Sequence, residues 1–293
     1  MSKKKIILEN NLSIGDEEPI FFIAEIGINH NGNIEIAKRL IDAAFATQWH
    51  CVKFQKRTPE ICVPEHQKNL MRDTPWGQMT YLDYRFKVEF EKKEYDYINS
   101  YCNEKPILWT ASVWDTKSLE FLLTYNIPFI KIPSAKITDM ELLTKSAQSG
   151  KPVFISTGMS TYEEIDAAVN ILEKHSKNGY VLFYTNSTYP TPPEDLNLRL
   201  ISELKKRYDC IIGYSGHEYD LEPSVIAATL GARVIERHIT LDHTLWGSDQ
   251  SASLEIHAMD LLRKRIKDLD TILGDGIKRI SEKEMAVKKK LRG

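Results

Sequence analysis

Two lysines, two histidines and a series of hydroxyls stand at the ends of short apolar segments in this chain. Lys53 lies in Val52-Lys53-Phe54-Gln55 and Lys131 in Ile130-Lys131-Ile132. Hydroxyls recur at comparable positions: Thr110, Ser134, Ser156, Ser187 and Ser215. A lysine buried among apolar residues is costly unless it meets an anion. Pairing with Glu25 or Glu236, or snorkelling to solvent, would satisfy one lysine alone. Two lysines converging with five hydroxyls describe a cradle for phosphate and carboxylate, point charges supplemented by short donors. His217 and His238 end two consecutive apolar segments. A single strand histidine is more often a satisfied core residue, but two on neighbouring strands can meet at one point, and imidazole suits a first-row divalent metal. No third strong protein ligand is evident, which leaves positions open for water or substrate, as Lewis-acid activation of a carbonyl requires. His30, in Asn29-His30-Asn31-Gly32, reads as turn structure flanking the site.

Something must bring these residues together. Eight apolar runs rich in β-branched residues recur along the chain: Ile20–Gly27, His50–Lys56, Ile107–Val113, Phe129–Ala135, Pro152–Gly158, Tyr180–Asn186, Cys210–His217 and Arg233–Thr240. Amphipathic stretches separate them, with start signals such as Ser160-Thr161 before Ile165–His175, Asp115 before Ser118–Leu123 and Thr138-Asp139 before Met140–Ser149. Near-continuous apolar strands alternating with helices imply parallel βαβ units. Eight units in one chain of 293 residues predict a single α/β domain over residues 1–293, a (β/α)8 TIM barrel. Catalytic groups belong at the C-terminal ends of its strands, where Glu25, Gln55 and the residues above fall. Residues 1–19 read as a short N-terminal β-hairpin, turning near Ser13-Ile14-Gly15-Asp16 and plugging the barrel floor. Ile256–Leu273 reads as the final helix, and Lys288–Gly293 as a solvated basic tail. The connection Arg57–Lys87 is too long for a plain turn, and Trp76, Tyr81 and Tyr84 in it point to a lid or subunit contact.

Composition narrows the class further. Hydrophobic residues make up 42% and charged residues 27%, as in a globular protein with ample core, and 39 basic against 41 acidic residues leave a net charge of −2. No global basic field exists to recruit nucleic acid or an anionic membrane, so any anion site must be local. No apolar run is long enough for a membrane span, and the basic start meets charge too soon for a signal peptide. Cys51, Cys62, Cys102 and Cys210 show no paired spacing and read as reduced thiols of a cytoplasmic enzyme.

In this order the motifs closely resemble the sialic acid synthase family: Glu25-Ile26-Gly27-Ile28-Asn29-His30-Asn31-Gly32, Val52-Lys53-Phe54-Gln55, Lys131-Ile132-Pro133-Ser134, Ile155-Ser156-Thr157-Gly158-Met159, Tyr189-Pro190-Thr191-Pro192, Gly213-Tyr214-Ser215-Gly216-His217, Glu236-Arg237-His238 and Gly247-Ser248-Asp249-Gln250-Ser251. The resemblance implies condensation of phosphoenolpyruvate with an N-acylated amino sugar, N-acetylmannosamine or a relative, to a nine-carbon sialic-acid-type 2-keto acid plus phosphate. It implies that Lys53, Thr110, Lys131, Ser134, Ser156, Ser187 and Ser215 bind phosphoenolpyruvate. His217 and His238 would hold Mn2+ or Mg2+, and Gln55, Tyr189 and Asp249 would line the sugar. Glu25 would handle the proton of the attacking water. A homodimer is implied too. Members of that family usually carry a C-terminal antifreeze-like domain that supplies an arginine to the N-acyl group. Ending at Gly293, this chain is expected to lack it, so that the 57–87 loop or a separate antifreeze-like protein takes its place. Lys136 stands where many members place an acid, and Ser187 where some have asparagine.

Two rivals share the barrel. A synthase acting on a phosphorylated sugar, or on a spore-coat, legionaminic or pseudaminic precursor, would use the same cradle. The phosphorylated case requires a second basic pocket, for which Arg72 and Arg85 are the loop's candidates. A Schiff-base aldolase would instead use Lys53 or Lys131 as nucleophile.

Overall fold

The structure is a computed structural model that describes residues 4–8 and 12–292. In chain order its strands are β1 (Lys5–Ile7), β2 (Ser13–Gly15), β3 (Phe21–Gly27), β4 (Cys51–Lys56), β5 (Met71–Thr74), β6 (Gly77–Thr80), β7 (Leu108–Val113), β8 (Ile130–Ile132), β9 (Val153–Ser156), β10 (Tyr180–Thr185), β11 (Ile211–Gly216) and β12 (Val234–His238). Eight of them close a parallel barrel in the order β10-β11-β12-β3-β4-β7-β8-β9, with helices outside. The (β/α)8 expectation holds, each barrel strand lying within its apolar run. The runs overshoot at their polar ends. Ser134 belongs to a short 3-10 turn, and His217 lies one residue past β11.

Caps set the helix starts where short polar side chains compete for the first free N–H groups. Asp115, Asp139 and Thr161 accept from Ser118, Leu142 and Glu164, opening the helices Thr116–Leu122, Met140–Gln148 and Tyr162–His175. These helices cover the outer barrel face and bury the larger core, in which Phe22, Phe54, Ile132, Ile155, Leu182 and Ile235 meet helix residues such as Leu40, Leu143 and Leu172.

Inside the barrel a second apolar cluster fills the lower layers with Phe21, Ile23, Cys51, Phe129, Phe154, Val181, Phe183 and Val234. Phe129 and Phe154 stack at 3.9 Å. Ile6, Leu8 and Ile14 of the hairpin complete this cluster, so β1 and β2 do close the barrel floor. The turn lies elsewhere than expected. Ser13–Gly15 is the second strand, paired with Lys5–Ile7, and the connection falls before it, partly at residues 9–11 outside the described ones.

Two other expectations are corrected. Arg57–Lys87 is not a loop: it forms short helices Pro59–Cys62 and Glu65–Lys68, the β5–β6 hairpin and the helix Tyr81–Val88. This excursion docks beside the mouth, where Trp76 and Tyr84 pack edge-on against Trp246 of the loop after β12. The last helix is two, Ile256–Lys267 and Leu269–Leu273, broken around Asp268. The basic tail is solvated as expected, and it ends a helix over Glu282–Arg292 that has no buried residue. All four cysteines are free. Among the described residues no helix is long and apolar enough to cross a membrane.

If the hairpin is part of the barrel core, Ile14→Ala should lower the unfolding free energy by about 2–5 kcal/mol, the usual range for truncating a fully buried isoleucine. Urea denaturation measures it, and a loss below about 1 kcal/mol would show a detachable hairpin.

Candidate active site

Register brings the charged residues side by side. His238 of β12 pairs with Glu25 of β3, and Glu25 with Lys53 of β4. Ser215 of β11 pairs with Glu236 of β12, and Ser112 of β7 with Lys131 of β8. In-register neighbours on parallel strands share a face, and here that face is the upper barrel interior. A β-bulge between Glu25 and Gly27 turns β3 outward at the rim. Gly27 has φ +56, and a Cβ there would press on Gln55 and His238 at 3.2 Å, so only glycine lets these two side chains close over Glu25.

The resulting cavity at the C-terminal mouth encloses about 210 Å³. Its floor is a buried quartet of charges. Lys53 Nζ lies 2.6 Å from Glu25 Oε2 and 3.6 Å from Glu236 Oε1, and Lys131 Nζ lies 3.3 Å from Glu236 Oε1. Lys53 donates to Ser112 at 2.8 Å, Lys131 to Ser156 at 2.7 Å, and Ser215 to Glu236 at 3.1 Å. Beneath, Lys131 rests over the Phe183 ring at 4.8 Å, where polar layer meets apolar floor. Burial opposes the charge of Lys53, but Glu236 and Glu25 outweigh it and hold its pKa above the usual value. For Glu236 burial would raise the pKa, yet Lys131, Lys53 and the Ser215 bond keep it well below the usual carboxylate range. Lys131 goes the other way: burial, aided by the charge of Lys53, exceeds the pull of Glu236 and brings it down to about 8.

One wall carries hydroxyls. Ser134 Oγ accepts from the Gly158 N–H at 3.0 Å, and both Ser134 and Ser187 crowd the place where a Cβ at Gly158 would stand, 2.8 and 2.3 Å from it. Next to it, past β11 and at the end of β12, His217 and His238 stand with ring centroids 5.6 Å apart. The His217 Nδ1 meets the Asn186 carbonyl at 2.5 Å, while Nε2 faces the Tyr189 hydroxyl at 2.8 Å under a stacked Tyr189 ring. Burial and the neighbouring His238 lower His217 to about 3, so its imidazole is neutral. A carbonyl at Nδ1 places the N–H there, so Nε2 accepts from the Tyr189 O–H, a bond that a metal ion would replace in the usual arrangement of a metal-binding histidine. His238 Nδ1 is buried without a hydrogen-bond partner, 3.9 Å from Asp249 Oδ2. A neutral, oriented imidazole beside an orphaned one fits a divalent cation held by two protein nitrogens. Among the described residues no group of three or more His, Cys, Asp or Glu side chains forms a fuller ligand set.

Glu25, Lys53, Gln55, Lys131, Ser134, Ser156, Ser187, Tyr189, Ser215, His217 and His238 all border this one cavity. Two expected residues do not. Thr110 is buried beneath it and donates to the Phe129 carbonyl at 2.9 Å, so its hydroxyl is already committed. Asp249 stands behind His238 and accepts from Ser248 at 2.7 Å. His30 is also structural: it stacks on Phe90 at 3.8 Å and accepts from the Gly32 N–H. Glu236, named from sequence only as a possible partner for a single lysine, touches both lysines and Ser215. Its spacing of two from His238 was the available signal. The Asn186 carbonyl, being backbone, had none.

A neutralised charge quartet, a hydroxyl wall and a paired imidazole at the top of a (β/α)8 barrel define an enzyme of the barrel-synthase type. The chain belongs to the NeuB family, whose model matches residues 40–278. It is 40% identical over 283 residues to the N-acetylneuraminate-9-phosphate synthase of Mus musculus, covering 95% of this chain and 78% of the relative. It is 33% identical to the N,N'-diacetyllegionaminic acid synthase of Campylobacter jejuni, covering 89% and 80%. Among solved structures, N-acetylneuraminic acid synthetase from Leptospira borgpetersenii serovar Hardjo-bovis, in complex with citrate, superposes with a TM-score of 0.87 at 32% identity, over 99% of this chain and 98% of that one.

The lowered pKa of Lys131 has a signed consequence. The group is cationic below about pH 8 and neutral above it, while a phosphate ester is fully ionised throughout that range, its second pKa being near 6. With Glu236, Glu25 and Lys53 as its charged neighbours, affinity for a phosphate monoester held against Lys131, with phosphoenolpyruvate as the probe, should be steady near pH 7 and weaken by up to ~10-fold per unit above about pH 8. Quenching of Trp114, which borders the cavity, gives the Kd; a value unchanged to about pH 10 would exclude Lys131 as the anion's charge partner.

Proposed function

We propose that the chain condenses phosphoenolpyruvate with the aldehyde of an N-acylated amino sugar, giving a 2-keto sugar acid and inorganic phosphate. The observation that carries this reading is the single cavity bordered by both a lysine–hydroxyl wall and a histidine pair, the first suited to an anion and the second to a carbonyl. Lys131, Ser134, Ser156 and Ser187 would bind the phosphate, with Lys53 and Ser215 completing the cradle. Thr110 would act only by bracing the strand beneath. His217 and His238 would hold Mn2+ or Mg2+, which when bound supplies Lewis-acid activation of the sugar carbonyl. C3 of phosphoenolpyruvate then forms its bond to the aldehyde carbon, whose oxygen takes up a proton to become a hydroxyl, leaving a cation at C2. Water adds at C2 and its proton passes to Glu25, which Lys53 and Gln55 hold in place. The C2–O bond breaks, and its electron pair leaves with phosphate. Tyr189, stacked on His217, would orient the sugar, and Asp249 would set the position of His238.

Relatives divide on the acceptor. One is named for a 9-phosphate product and another for a diacetylated acid. An N-acyl amino sugar is common to both readings, and its phosphorylation is a separate question.

Phosphate release from phosphoenolpyruvate with N-acetylmannosamine or its 6-phosphate, in the presence of Mn2+, tests the proposal, with mass spectrometry of the product. EDTA should abolish turnover. His217→Ala should reduce kcat by more than about 10-fold at saturating metal. A variant retaining more of its rate would remove the ligand assignment, and borohydride trapping of a sugar on Lys53 or Lys131 would replace the reaction with a Schiff-base one.

A further inference from the structure

The excursion after β4 carries two arginines close behind the cavity wall, Arg57 against the lining residues Gln55 and Trp114, and each keeps one buried guanidinium nitrogen without a partner. Arg57 is 8% exposed and Arg85 6%. The Arg57 guanidinium lies 3.9 Å above the Trp114 ring and donates through Nη2 to Gln55, but its Nη1 is buried without a partner. Arg85, on the helix Tyr81–Val88, has a buried Nη2 without a partner, and among the described residues no carboxylate pairs with it. Arg72, the other basic residue expected to serve here, is exposed and lies over Tyr81 at 4.1 Å.

A buried arginine remains charged, and two together repel. Burial and the charge of Arg85 press the pKa of Arg57 down to about 10. Glu89 and Asp249 are the carboxylates that act on Arg57. Glu89 is already shared with Lys56, 3.0 Å away, and with the Arg57 backbone N–H at 2.9 Å. The inner floor is different, because there two lysines face two glutamates and the charges cancel. Uncompensated positive charge thus gathers at the rim, with N–H groups whose planar fork matches a phosphate or carboxylate.

Position distinguishes this pair from the inner cradle. Arg57 reaches Glu25 through Gln55, and Asp249 links its surroundings to His238. These elements, β3, β4 and β12, lie across the barrel from β8, β9 and β10, which bear the hydroxyl wall. An anion held by Arg57 and Arg85 would therefore belong to the molecule on the histidine side.

We propose that Arg57 and Arg85 form a second oxyanion site, which takes the terminal phosphate of a phosphorylated N-acyl amino sugar. The proposal rests on the amino-sugar reading of the cavity and selects the phosphorylated acceptor within it. Phosphoenolpyruvate stays in the inner cradle, and the sugar spans from the histidine pair to the rim.

Calorimetric titration of the full chain with N-acetylmannosamine 6-phosphate and with N-acetylmannosamine, together with kcat/KM for each, tests it. The wild type should favour the phosphorylated sugar by about 30-fold or more in both measurements, the worth of one or two charge-assisted hydrogen bonds. Arg85→Met should collapse that preference to within about 3-fold, with the KM for phosphoenolpyruvate moving by less than that, since the two sites are separate. Arg85→Lys, which keeps the charge but loses the fork, should give an intermediate preference and serves if the methionine variant does not fold. Equal affinity of the wild type for the two sugars overturns the proposal, as does an Arg85→Met variant that keeps the preference or instead loses phosphoenolpyruvate. If neither sugar releases phosphate but the Arg85-dependent binding preference is present, the condensation reading falls and the anion site stands.

Discussion

Four buried charges, Lys53, Glu25, Glu236 and Lys131, hold one another at the top of the barrel, and much of the remaining architecture follows from keeping them there. Each has most of its water removed, a cost of several kcal/mol per ion that mutual attraction and added hydrogen bonds must offset. The hydroxyls of Ser112, Ser156 and Ser215 supply those bonds. Removing one partner would leave the others uncompensated, typically costing about 3–5 kcal/mol. The set thus behaves as a unit. Glu236 is its centre because it alone touches both lysines.

The layers below make that unit possible. Phe129, Phe154 and Phe183 fill the barrel interior, and the hairpin's Ile6 and Ile14 close it from beneath, which keeps water from reaching the quartet from the N-terminal end. A dry floor raises the effect of every charge at the mouth. It accounts together for the lowered Lys131, the neutral His217 and the orphaned nitrogen of His238. His217 stays unprotonated because its buried surroundings disfavour charge, and that state is the one in which imidazole binds a cation.

Much of this was legible in the sequence, because buried parallel strands betray themselves as β-branched runs and their polar ends mark the mouth. Lys53, Lys131, His217 and His238 could be placed from that alone. The excursion could not. β5 and β6, Met-Arg-Asp-Thr and Gly-Gln-Met-Thr, lack apolar alternation because they pack lightly at the rim, so periodicity gives no signal. The helix Glu282–Arg292 buries nothing, so no apolar face marks it in the sequence. Thr110 was grouped with the strand-end hydroxyls, but its hydroxyl is turned to the Phe129 carbonyl of the next strand rather than to the cavity. Arg57 was overlooked because it follows a strand and precedes Pro59, where a solvated side chain is the ordinary case. Its burial comes from Trp114 and the docked excursion, contacts between segments far apart in the chain.

The most direct measurement follows the bridging oxygen of phosphoenolpyruvate. With 18O in the C–O–P bridge, condensation through attack of water at C2 requires the label to leave with inorganic phosphate, and mass spectrometry of the released phosphate should find it there. Label retained in the keto group of the sugar acid would mean cleavage at phosphorus and would contradict the account of this site.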